Sequence, residues 1–146
     1  MRFILVRGIP GSGKSTFASK AFGGAFHVEN DMFHVKDGAY RFDARRQKDA
    51  VAWCMDMCRA ALRNGMDAVV SNTFTKRKYV AACAKLAAEA GAEFSVYRMT
   101  GSFPNRHAVP PDVFENMKKG FEDWPGEIFV SPVGDGYEYS PAEKTA

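Results

Sequence analysis

Gly8-Ile9-Pro10-Gly11-Ser12-Gly13-Lys14-Ser15, with Thr16 directly behind it, fits a glycine, any four residues, then Gly-Lys-[Ser/Thr]. The flanks agree with the motif. Phe3-Ile4-Leu5-Val6 is a short apolar run of the kind that forms a buried strand, and the stretch from Ser15 to Phe22 has the composition of a helix leaving the loop. Strand, glycine-rich turn and helix start therefore stand in register.

Gly8, Gly11 and Gly13 let the backbone turn with its amides pointing inward, where side chains would block an anion. Exposed amides at a helix start add dipole and hydrogen bonds to that anion. Lys14 is then placed to reach the β and γ phosphates of a nucleoside triphosphate, and Ser15 to put its hydroxyl on magnesium; Ser12 and Thr16 complete the loop. A glycine-rich turn that happens to precede a helix is the plain alternative.

Further along, residues 25–28 form a candidate second strand ending in the polar cluster Glu29-Asn30-Asp31. Residues just past a parallel strand face the ligand crevice, so Asp31 is a candidate general base for an attacking hydroxyl. It is equally suited to cap a helix beginning at Met32, and the two roles are compatible. His34, Lys36, Asp37, Gly38, Tyr40 and Arg41 read as a mixed polar segment with a turn at Asp37-Gly38. Tyr40 and Phe42 around Arg41 offer either a stacking surface with a phosphate contact or a closure under a loop. His34 is the most suggestive member, three residues past Asp31.

Ala50, Trp53, Cys54, Met57, Ala61 and Leu62 recur at helical spacing, predicting a helix from Ala44 to about Asn64 that ends at Asn64-Gly65. The strand Ala68-Val69-Val70 then terminates in Ser71-Asn72-Thr73. Many phosphate-loop proteins end this strand in an aspartate that helps hold magnesium; Asn72 is uncharged, and with Thr73 it can instead contact substrate or cap the next helix. Thr75 is a further candidate cap. Lys76-Arg77-Lys78 sits in the first turn of a helix running to Gly91, where cations oppose the dipole. An anionic substrate would account for Lys76 and Arg77; so would a plain solvated face.

Residues 93–98 form a candidate fourth strand, followed by an irregular, lid-like segment near 100–110 carrying Arg106 and His107. Arg106 is a candidate to neutralise charge on a transferred phosphoryl group, against a surface arginine on a crossover. Val113, Met117, Phe121 and Trp124 predict a helix from Pro111 to about Trp124. Gly126 to Ser131 reads as a last strand, Gly134-Asp135-Gly136 as a turn into a short hairpin ending at Tyr139, and the tail from Ser140 as frayed. The expected fold is α/β, a P-loop NTPase with a mostly parallel central sheet of about five strands flanked by helices.

A length of 146 residues fits one domain, 1–146, and 46% apolar with 25% charged residues is ordinary for a globular protein. A net charge of +3 permits an anionic partner without demanding one. The 3 cysteines, Cys54, Cys58 and Cys83, read as buried thiols rather than a disulfide framework or metal set. No secretory leader and no apolar run of roughly 20 residues is visible. The expected compartment is a reducing cytoplasm, with no membrane and no obligate protein partner.

Four further stretches carry a more specific resemblance: Val28-Glu29-Asn30-Asp31; residues 37–42; Val70-Ser71-Asn72-Thr73-Phe74; and residues 105–110 leading into a helix. With the phosphate loop they make the chain, from Arg2 to about Val133, similar to the small P-loop kinases related to the kinase domain of phage polynucleotide kinase. That family includes phage kinases acting on 5-hydroxymethyluracil in DNA. The resemblance implies ATP and Mg2+ as cofactors and DNA as substrate, with host cytoplasm as the setting if phage-encoded. It places Lys14 and Ser15 on the nucleotide and metal, and Asp31 on the acceptor hydroxyl. His34 falls where the polynucleotide kinase has an arginine on the substrate's phosphate backbone, Asn72 where that enzyme has an aspartate, and Arg106 matches the lid arginine loosely. No 3′-phosphatase activity is implied.

The expected reaction is transfer of the γ-phosphoryl of ATP to a hydroxyl on DNA. The hydroxymethyl group of 5-hydroxymethyluracil is favoured because His34 and Asn72 alter the region that would grip a 5′ end. A polynucleotide 5′-hydroxyl kinase, a kinase for a nucleoside or other small molecule, and an ATP-binding switch without kinase activity are the alternatives.

Overall fold

The computed structural model describes residues 1–103 and 109–141. Its centre is a six-stranded sheet built from β1 (Arg2–Arg7), β2 (Phe26–Val28), β5 (Ala68–Asn72), β6 (Glu93–Met99), β7 (Ile128–Val133) and β8 (Gly136–Pro141). The order is β2-β5-β1-β6-β7-β8; every pair is parallel except β7 with β8. This is the α/β, mostly parallel P-loop NTPase architecture expected, the antiparallel strand arising from the hairpin at Gly134-Asp135.

β1 is buried from Phe3 to Arg7 because both faces of the sheet are covered. Phe3 and Leu5 point to one side, against α3 (Gln47–Arg63) and α4 (Arg77–Ala90), through Cys54, Cys58, Leu62, Val80, Cys83 and Leu86. Ile4 and Val6 point to the other, against Phe17 and Ala18 of α1 (Lys14–Ala21) and Val130 of β7. The two-residue period of the strand thus feeds two cores, which is why its sequence reads as an unbroken apolar run.

Four local expectations change. The segment after Asp31 is not irregular. α2 (Asn30–Phe33) is followed by a hairpin of β3 (Val35–Lys36) and β4 (Ala39–Tyr40), whose two turn residues, Asp37 and Gly38, have φ of 53° and 77°. Both left-handed values are what a tight two-residue hairpin turn requires. The helix predicted from Ala44 opens with a 3-10 turn, Ala44–Arg46, before α3. The predicted helix 111–124 stops early, α5 being Pro111–Lys119. Beyond Gly120 the chain is drawn off by its tertiary partners: Glu122 N donates to Thr75 O at 2.8 Å, and Phe121 receives Arg7 and Arg98 on its ring at 4.3 and 4.4 Å. Finally, Ser140 and Pro141 are paired with Phe129 and Ile128 in β8 rather than frayed.

All three cysteines are free and buried. Burial pushes the thiols of Cys54 and Cys83 up to about 12 and raises that of Cys58 as well. The thiolate fraction near pH 8 is then about a thousandfold below that of an unfolded cysteine. Iodoacetamide should therefore leave all three unlabelled in the native protein and label all three in urea, read by intact mass.

Candidate active site

The carboxyl ends of β2, β5 and β1 lie side by side, and the loop after β1 is the phosphate-loop motif. Gly11 and Gly13 have φ of 80° and 93°, which a side chain resists, and a Cβ on Gly13 would meet the Phe103 ring at 3.2 Å. Ser12 is fully buried inside the turn, with its N–H donating to Ile9 O at 3.2 Å. No side chain caps α1, so the first amides of the helix, at Lys14, Ser15 and Thr16, face the loop as an anion site.

Lys14 folds back over this loop, donating from Nζ to Ile9 O at 3.1 Å. Burial brings its amine down to about 8, while the nearby carboxylates of Glu29 and Asp31 pull the other way. A triphosphate in the loop would replace those carboxylates as the counter-charge. The hydroxyl of Ser15 donates to the Glu29 carboxylate, with Oε2 at 3.0 Å. Behind Glu29, His27 Nε2 lies 3.8 Å from Oε1 and 2.9 Å from Ser71 Oγ. Glu29 escaped notice in the sequence because Asp31, two residues on, took the catalytic role in the same polar cluster.

A cleft of about 800 Å³ crosses the loop from one side of β1 to the other. One wall is Glu29, Asn30, Asp31, Gln47, Asn72 and Thr73. The opposite end is the β7–β8 hairpin, Pro132 and residues 134–137, together with Thr16 and Lys20 of α1. Tyr137 stacks edge-on to Phe17 at 4.9 Å, holding the hairpin against α1. Phe103 sits over the loop between the two ends, its N–H donating to Gly11 O at 2.7 Å. The long cleft with a phosphate cradle at its middle can hold a nucleotide on one side and a second molecule on the other.

Asp31 lies in the first turn of α2, whose N-cap residue is Glu29, so it caps nothing and is exposed to the cleft. Tyr40 Oη donates to Asp31 Oδ1 at 3.3 Å. Burial, then Asp31, pushes that phenol up to about 12, so it stays a donor at neutral pH. Asn72 Oδ1 accepts from Asn30 N at 2.7 Å, tying the ends of β2 and β5 together.

Of the remaining sequence candidates, His34, Arg41, Lys76 and Arg77 do not line the cleft. His34 is 5% exposed, its Nε2 lies 2.9 Å from Gln47 Oε1, and Phe42 and Tyr40 pack on its ring at 5.0 and 6.5 Å. Both rings also keep an exposed face. Arg41 is exposed, and its N–H donates to His34 O at 2.8 Å. Lys76 Nζ donates to Gly120 O at 2.7 Å, and Arg77 Nε to Asp123 O at 3.0 Å. Lys76 has an electrostatic reason that α4 alone does not show, since it meets the carboxyl end of α5, while Arg77 ties α4 to the chain just beyond that helix. Arg106 lies outside the described residues.

Among the described residues no three His, Cys, Asp or Glu side chains converge on a metal site, and no helix is long and apolar enough to cross a membrane. Residues 3–101 match the family described as an AAA domain. An uncharacterized protein of Pasteurella multocida is 30% identical over 148 residues, covering 89% of this chain and 83% of that protein. Among solved structures, a gluconokinase of Sinorhizobium meliloti superposes with a TM-score of 0.63 at 19% identity, covering 91% and 83% of the two chains. A sugar kinase of a Janibacter species gives 0.61 at 15%, covering 90% and 84%. A chain of the Pnkp1/Rnl/Hen1 RNA repair complex gives 0.65 at 18%, covering 82% of this chain and 43% of that one. The fold is thus P-loop kinase-like.

Proposed function

Since the chain belongs to the AAA domain family, we propose that it is an ATP- and Mg2+-dependent phosphotransferase whose acceptor is the hydroxyl of a small polyhydroxylated compound. The observation that carries this reading is the single cleft that joins Lys14 and Ser15 to Asp31. The nucleoside would lie toward the hairpin, with its phosphates on the loop amides and Lys14. An acceptor against Asp31 would have its hydroxyl proton drawn off by that carboxylate as oxygen attacks the γ-phosphorus. Ser15 Oγ, beside a carboxylate, is the hard oxygen donor that Mg2+ takes. The ion supplies charge neutralisation on the phosphate oxygens.

The small acceptor is favoured by the charge of its wall. Glu29 and Asp31 are acidic, and Asn30, Gln47, Asn72 and Thr73 are neutral. Among the described residues this wall offers a polyanion no counter-charge, whereas amides and carboxylates are the partners of sugar-like hydroxyls. The fold likeness to a sugar kinase agrees. DNA, as a 5-hydroxymethyluracil base or a 5′ terminus, is the second reading; it rests on the sequence resemblance and the likeness to the RNA repair chain.

The deciding experiment offers [γ-32P]ATP with magnesium and a panel of sugars, polyols, nucleosides, 5′-hydroxyl oligonucleotides and DNA containing 5-hydroxymethyluracil. Label is expected on a small hydroxyl compound and absent from both nucleic acids. Label on DNA alone would replace this reading with the second, and nucleotide binding without transfer to any acceptor would replace both with an ATP-driven switch.

A further inference from the structure

In this cleft the position at the end of β5, from which a carboxylate would assist the nucleotide's metal, holds Asn72. Its Oδ1 is already committed to the backbone N–H of Asn30 at 2.7 Å. The negative charge is found instead across the loop, at the end of β2. The Glu29 side chain is only 13% exposed and directed at the Ser15 hydroxyl, with His27 and the buried Ser71 behind it.

Resting on the phosphotransferase reading above, we infer that Glu29 is the metal-side carboxylate of this site, having taken over from β2 the task that Asn72 cannot perform from β5.

Three observations converge on this. The Ser15 hydroxyl and the Glu29 carboxylate are hydrogen-bonded to each other, so two hard oxygen donors already stand side by side. A cation taken up there would have both within reach. His27 stands where a supporting partner of a ligating carboxylate belongs, one step removed from the ion. Third, no other acidic side chain among the described residues has a hydrogen bond to Ser15. Asp31 is held by Tyr40, so the two carboxylates divide the work: Glu29 for the cation, Asp31 for the acceptor proton. Because the described residues form no cage of three or more ligating side chains, the ion should enter together with nucleotide phosphates.

The test is titration of Mn2+ into the full chain with ADP, read by the loss of the free-ion electron paramagnetic resonance signal, for wild type, Glu29→Gln, and Glu29→Gln combined with Asn72→Asp. Glu29→Gln should weaken Mn2+ binding at least tenfold, while metal-free ADP affinity in EDTA is unchanged. Restoring a carboxylate at residue 72 should recover several-fold of the loss. Mn2+ affinity equal to wild type in Glu29→Gln overturns the inference. If Glu29→Gln has also lost metal-free ADP binding, Glu29→Asp carries the test: retained Mn2+ affinity supports the assignment and a tenfold loss overturns it. A wild-type protein that binds no nucleotide at all removes the phosphotransferase reading first, and this assignment with it. ADP binding by the wild type with no uptake of Mn2+ removes only the assignment.

Discussion

Asp31→Asn is expected to lower kcat by about 10²–10⁴, the contribution of a positioned general base, while ATP affinity stays at the wild-type level. The substitution keeps shape and removes only the ability to take a proton. Asp31 is exposed and stands in the first turn of α2 without capping it. Its partner Tyr40 can donate to an amide oxygen as well as to a carboxylate, which keeps the side chain oriented. Steady-state rates at saturating acceptor, paired with calorimetric titration of ATP, separate the two quantities. A kcat within a factor of a few of wild type would move the proton acceptor elsewhere. Equal losses in ATP binding and rate would show that Asp31 acts through the nucleotide rather than the acceptor.

The parts of this site that could be read without coordinates are those encoded locally. The loop from Gly8 to Ser15 declares itself because its glycines, lysine and serine serve one local geometry, and the buried run 3–6 ahead of it needs both faces covered. Asp37-Gly38 declared a turn, but the hairpin it closes has only two residues on each side, too few to show an alternating pattern. What could not be read is what other elements contribute. Lys76 and Arg77 look misplaced on α4 because their partners, Gly120 O at the end of α5 and Asp123 O just beyond it, come some forty residues later in the chain. Phe121 and Trp124 continue the spacing of α5 but leave the helix, where the Phe121 ring meets the guanidinium groups of Arg7 and Arg98. Glu29 shows its direction only once β2 and α1 are side by side. The sequence resemblance points at DNA, but the fold, shared alike with a gluconokinase, a sugar kinase and an RNA repair chain, selects no acceptor, and the wall beside Asp31 carries no cation among the described residues.

Arg7 is the residue least legible of all, and removing its partner should have the largest effect on stability. It ends β1 immediately before the phosphate loop, yet its side chain is wholly buried. The guanidinium donates to Glu127 Oε1 at 3.0 Å, to Phe74 O at 2.6 Å and to Glu122 O at 2.8 Å. Burial lowers its pKa, with Glu127 offsetting that cost. Glu127 is equally enclosed, and its other oxygen takes the Trp124 N–H at 2.5 Å and faces Arg98 at 3.5 Å. Glu127→Ala leaves a cation in the interior with two carbonyls but no counter-charge, a loss of about 3–5 kcal/mol. For a chain of this size that is a fall in Tm of roughly 10 °C or more. Asp123→Ala, which removes a neighbouring partner of Arg98 that is 67% exposed, should cost no more than about 1 kcal/mol. Scanning calorimetry of the two variants side by side gives the contrast, and similar Tm values would show that water reaches Arg7. Replacing the pair together, Arg7→Met with Glu127→Leu, separates the charge from the geometry. An apolar pair of similar volume is often as stable as the ions it replaces, so most of the Tm should return. The carbonyls of Phe74 and Glu122 and the N–H of Trp124 would still lack their partners, so recovery should stop short of wild type. Those three groups lie on the strands of chain that Arg7 draws to the root of the phosphate loop, so ATP affinity should recover less than Tm does.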